Sequence, residues 1–66
     1  MKNTVRVERA ILDITQQQLA EAIGVSRNTI NSIESGRYIP STVLALKISK
    51  YFGKPTDSIF QLDEND

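Results

Sequence analysis

Apolar residues recur at helical spacing along almost the whole chain, and no run keeps the strict alternation of a half-buried strand. Val5, Ile11 and Leu12 stand about one and two turns apart in a first segment that ends near Asp13. Thr15, with Gln18 three residues on, has the form of a capping box and starts a second helix at Gln16. Leu19 and Ile23 lie four apart on its inner face, and Gly24 is placed to end it in a left-handed conformation. Ser26 is the next N-cap. It opens a short helix through Glu34, with Ile30 and Ile33 turned inward and Gly36 as the stop. Pro40 and Ser41 introduce a fourth helix, in which Leu44, Ile48 and Phe52 repeat at four-residue steps beside Val43, Leu46 and Tyr51. Gly53 ends it, and Pro55 pre-sets a last turn over TDSIF that leads to Ile59, Phe60 and Leu62.

The pattern therefore predicts an all-α fold: a compact five-helix bundle over residues 1–62, with residues 63–66 as an acidic, solvated tail. Lys2–Thr4 and Gln61–Asp63 are short enough to pair as antiparallel extended edges at the two chain ends.

Sixty-six residues suffice for one domain with a marginal core. Such a domain usually gains stability from disulfides, a metal or a partner subunit. The chain has no cysteine and no histidine, which removes disulfides, thiolate nucleophiles and most transition-metal sites and leaves oligomerisation. No apolar run reaches the about 20 residues of a membrane span, and the N-terminus lacks a signal-like segment, so the cytoplasm is the expected location. Net charge is zero, but it is unevenly spread. Residues 1–54 hold all eight Lys and Arg against four carboxylates, and residues 55–66 hold four carboxylates and no basic residue. One face of the body can thus be electropositive.

The second and third helices carry the specific signal. Two helices crossing through a short turn need a small side chain where they approach, which Ala20 supplies, and a permissive turn residue, which Gly24 supplies. Val25, Ile30 and Ile33 then lock the third helix down. With the isoleucines inward, helical geometry sends Arg27, Asn28, Asn31 and Ser32 outward, flanked by Ser26 and Thr29. Asparagine can donate and accept at a base edge, arginine suits guanine or a phosphate, and a helix N-terminus favours an anion. This is the side-chain stock of a major-groove reader.

These residues, in TQQQLAEAIGVSRNTINSIESGRYIPSTVLALKISKYF, resemble the helix-turn-helix of the Cro/C1-type (XRE) family, over about Arg9 to Phe60. Within it the chain looks most like the minimal stand-alone members, which dimerise without a ligand domain. The resemblance implies a homodimeric, sequence-specific regulator of transcription, more in the manner of a repressor, bound to an inverted repeat in double-stranded DNA. Its helix-turn-helix would span about residues 16–35. It implies that Gln16 and Gln17 touch the DNA backbone, and that Arg27, Asn28, Asn31 and Ser32 meet bases or adjoining phosphates. Arg37 and Tyr38 would reach the neighbouring strand, Glu34 would tie the third helix to the following loop, and Ile59, Phe60 and Leu62 would form the dimer surface. Glu8 departs from the family pattern, where a leucine is usual, and Thr56 stands where an aliphatic is usual.

Simpler roles account for other residues. Lys47, Lys50 and Lys54 read as a solvated face, and Tyr51, Phe52 and Phe60 as core or interface. Serines lack an adjacent base, and there is no glycine-rich phosphate loop, so no enzyme activity, cofactor, metal or small-molecule ligand is expected. The competing reading is an antitoxin-like module on the same scaffold, whose main partner is another protein.

Overall fold

The computed structural model describes residues 1–66. Five helices follow one another: α1 (Val5–Leu12), α2 (Gln16–Ile23), α3 (Arg27–Glu34), α4 (Thr42–Phe52) and α5 (Thr56–Ile59). The ends pair as a two-stranded antiparallel sheet, β1 (Lys2–Asn3) with β2 (Phe60–Gln61). The register sets Lys2 opposite Gln61 and Asn3 opposite Phe60, so β2 begins one residue earlier than expected. Burial of the Phe60 side chain places that residue at the sheet, because it must face the core as the chain leaves α5.

Local chemistry sets the helix boundaries. Thr15 Oγ1 accepts from the Gln18 backbone N–H at 3.0 Å, and Gln18 Oε1 accepts from the Thr15 N–H at 2.8 Å. Ser26 and Ser41 cap α3 and α4 through the N–H groups of Thr29 and Leu44, at 3.1 and 3.2 Å. Each such cap contributes about 1 kcal/mol. Gly24 ends α2 at φ 86°, a conformation that would strain a side-chain-bearing residue. Asp13 adopts the left-handed region at φ 56° to close α1, where its N–H bonds to the carbonyls at the end of the helix.

The core is a single cluster: Val5, Leu19, Ala20, Ile23, Ile30, Ile33, Leu44, Ile48, Ile59 and Phe60. Ala20 is fully buried where α2 meets α3, its most extensive neighbour. Val25 is only half-buried against this cluster. In α4, Leu44 and Ile48 face inward, whereas Val43, Leu46 and Tyr51 remain exposed.

Three places bear on the expectations. In α1 the inward residues are Val5 and Glu8, and Ile11 and Leu12 are exposed. Glu8 is buried because Lys54 Nζ reaches its carboxylate at 2.9 Å, so Lys54 is an ion-pair partner and not part of a solvated face. The left-handed Gly53, at φ 69°, turns the chain so that Lys54 follows α4 at the position from which it meets Glu8. Second, Ile59 and Phe60 are buried within the protomer, at 0% and 7% exposure, while Leu62 is exposed. Third, the acidic tail folds back: Asp63 and Asp66 approach the Met1 ammonium at 3.1 and 3.0 Å. Opposite charges at the two paired ends account for this.

The Glu8–Lys54 pair is a charged substitute for an apolar contact. Removing one partner leaves a low-access carboxylate alone, whereas replacing both with apolar groups is often neutral or stabilising. Lys54→Met should therefore lower unfolding stability by about 1–2 kcal/mol, discounted because Lys54 is half-exposed. Adding Glu8→Leu should restore stability to the parent value or above in urea titration. A double variant no more stable than Lys54→Met would refute this account of Glu8.

Candidate nucleic-acid interface

Helix α3 is held by two fully buried side chains, Ile30 and Ile33. Arg27 and Asn28 are exposed on its outer side, and Thr29, Asn31 and Ser32 are half-buried there. Ser26 and Thr29 shape the helix start: their hydroxyls lie 3.0 Å apart while Ser26 Oγ caps the helix.

The chain after α3 folds over its end. The N–H groups of Arg37 and Tyr38 both bond to the Ser32 carbonyl, at 3.0 and 3.2 Å, and Gly36 at φ 81° permits the reversal. This brings Tyr38 beside Asn28, Thr29 and Ser32, and the four side chains line a shallow open depression. Arg37 is exposed next to it. Gln17 lies exposed on α2, its amide donating to Glu21 Oε1 at 3.0 Å.

Gln16 is placed differently. It is half-buried, and Nε2 donates to Glu34 Oε1 at 3.1 Å and to Asn31 Oδ1 at 3.2 Å. Glu34 is the centre of this arrangement, with a side chain of 0% exposure. Arg9 grips its carboxylate with two groups, Nε at 2.7 Å from Oε2 and Nη2 at 3.1 Å from Oε1. Arg9 Nη1 also donates to the Ile14 carbonyl at 2.9 Å, and Arg6 Nε stands 3.5 Å from Oε1. Glu34 thus joins α3 to α1 and α2, not to the following loop as expected. From the end of α3 its side chain is directed back toward the helices, where Arg9 supplies a positive charge. Burial pushes the Glu34 carboxyl up, but hydrogen bonds from Arg9 and Gln16, with the Arg9 charge, outweigh it and hold the group below the usual carboxylate range.

Arg9 was missed in the sequence. A clue did exist in Glu34, since a carboxylate in the last turn opposes the helix dipole and implies a dedicated cation.

The family profile for the helix-turn-helix matches residues 5–59. The chain belongs to the Cro/C1-type helix-turn-helix family. An HTH-type transcriptional regulator of Methanocaldococcus jannaschii is 46% identical over 66 residues and is matched along 100% of both chains. The regulator YgzD of Bacillus subtilis is 45% identical, covering 97% of each chain. The cryptic phage CTXphi transcriptional repressor RstR of Vibrio cholerae is 35% identical over 91% of this chain and 56% of its own. As a family member the chain is a DNA-binding transcriptional regulator.

The lowered carboxyl of this helix-turn-helix domain gives stability a pH signature. A group whose folded pKa is depressed stabilises above its unfolded value, about 4.3 for Glu, and the gain is lost as pH falls through the folded value. Glu34→Gln should cost about 3 kcal/mol at pH 7, because it leaves Arg9 without its charge partner. The gap to the parent should begin to narrow as pH falls below the unfolded value of about 4.3 and close as it passes through the lower folded value. Denaturant titrations from pH 7 to 3 that show a constant gap would contradict the assignment.

Proposed function

We propose that the chain is a repressor that binds an inverted-repeat operator as a homodimer and acts in the cytoplasm. The observation that carries this reading is the outward row on α3, Arg27, Asn28, Asn31 and Ser32, set on a helix anchored by fully buried isoleucines. Arg27 and Asn28 are the base readers, at the N-terminal end that enters the major groove. Asn31 and Ser32 meet bases or adjoining phosphates one turn further along. Ser26, Thr29, Gln17, Arg37 and Tyr38 hold the phosphate backbone and set the register without reading sequence. The repressor role is supported by likeness to the CTXphi repressor.

The size of the protomer and its exposed apolar residues support dimerisation. Its extents are 31 × 22 × 20 Å, so two copies side by side can present their α3 helices about 34 Å apart, one turn of B-form DNA. Ile39, Leu46 and Leu62 are exposed, and an open groove has an apolar lining of Met1, Ile39, Pro40, Ala45, Leu46 and Phe60, edged by the polar Thr42, Thr56 and Asp57. Phe60 forms part of its wall. No helix is long and apolar enough to cross a membrane.

Two substitutions separate the proposed roles. With an operator selected from random duplexes, Asn28→Ala should flatten the preference among operator variants by about tenfold, within the 1–3 kcal/mol of a bidentate base contact. Arg37→Ala should weaken every sequence alike and reduce the salt slope by about one. A duplex carrying one half-site should bind far more weakly than the inverted repeat. Identical behaviour of the two variants, or equal affinity for half and whole sites, would overturn this reading.

A further inference from the structure

The hydrogen bonds around Glu34 fix the direction of two amides that face the proposed DNA surface. A carboxylate can only accept, and Arg9 can only donate to it. The atom of Gln16 facing Glu34 must therefore be its nitrogen, at 3.1 Å. The same nitrogen lies 3.2 Å from Asn31, so the atom of Asn31 facing it must be the oxygen. The ion pair thus sets the orientation of the Gln16 amide, and Gln16 sets that of Asn31. Both hydrogens on Gln16 Nε2 are spent inside the protein. Asn31 Nδ2 has no protein partner and is not a buried orphan, so it keeps access to solvent. Gln16 Oε1, likewise free, can only accept.

We infer that Gln16 is a positioning residue that turns the Asn31 amide nitrogen toward the DNA, so that Asn31 presents donors and selects guanine over adenine. This rests on the DNA-binding reading above and deepens it. An unconstrained asparagine favours adenine, donating to N7 while accepting from N6. With its oxygen turned to Gln16, Asn31 meets the N6 donor of adenine with N–H groups of its own. Guanine instead offers two acceptors, O6 and N7, to those same hydrogens.

Binding selection from a random duplex pool tests this with three proteins: the parent chain, Asn31→Ala and Gln16→Leu. Asn31→Ala locates the base pair that Asn31 reads, as the position where preference is lost. There the parent should favour guanine over adenine by about fivefold or more. Gln16→Leu frees the amide to rotate and should level that preference or reverse it toward adenine, leaving the positions read by Arg27 and Asn28 unchanged. Adenine preference in the parent, an unchanged preference in Gln16→Leu, or no position assignable to Asn31 would each overturn the inference while leaving DNA binding intact. Enrichment of no sequence by the parent would remove the DNA-binding reading itself, and the inference with it. A measurement on the free parent protein covers the case in which Gln16→Leu folds poorly. The Gln16 side-chain amide hydrogens should exchange with solvent more slowly than those of Gln18, whose amide nitrogen has no such partner. Equal exchange rates would also overturn it.

Discussion

A buried carboxylate organises this molecule. Glu34 sits at the end of α3 with its side chain shielded from solvent, gripped by Arg9 from α1 and by Gln16 from the start of α2. Apolar burial holds the helices together, but it is non-directional and leaves their relative rotation loosely specified. A charge shielded from water tolerates little misalignment, because every lost hydrogen bond is costly. One side chain therefore ties three of the five helices in a single orientation. That orientation sends Arg27 and Asn28 into solvent.

The dependence matters because α3 has only eight residues. A helix that short is marginal alone, so its position comes from packing and its ends. Two buried isoleucines press it to the core, Ser26 caps its start, and the Ser32 carbonyl receives the returning loop. The outer side is then free of structural duty except at Asn31, where the polar network reaches the surface. Structure and the proposed recognition meet at that residue.

How much was legible in the sequence follows from how local each signal is. Thr15 with Gln18, Ser26, Ser41 and the glycines at 24, 36 and 53 act on their immediate neighbours, and each boundary they imply is present. The inward and outward sides of α2 and α3 follow from helical period alone. Contacts between distant residues were not legible: Lys54 with Glu8 and Arg9 with Glu34 are 46 and 25 positions apart. No spacing rule joins them. The same blindness explains α1, where period alone favoured Ile11 and Leu12 over a charged Glu8.

The central claim is that the outer side of α3, oriented by this clamp, is the surface that meets DNA. The direct measurement is an amide chemical-shift map of the protein titrated with a selected duplex. Shifts concentrated at Ser26–Ser32, with smaller ones at Gln17 and Arg37–Tyr38, are the result the account predicts. Shifts concentrated instead along α4 and around Ile39 and Leu62, with residues 26–32 unmoved, would contradict it.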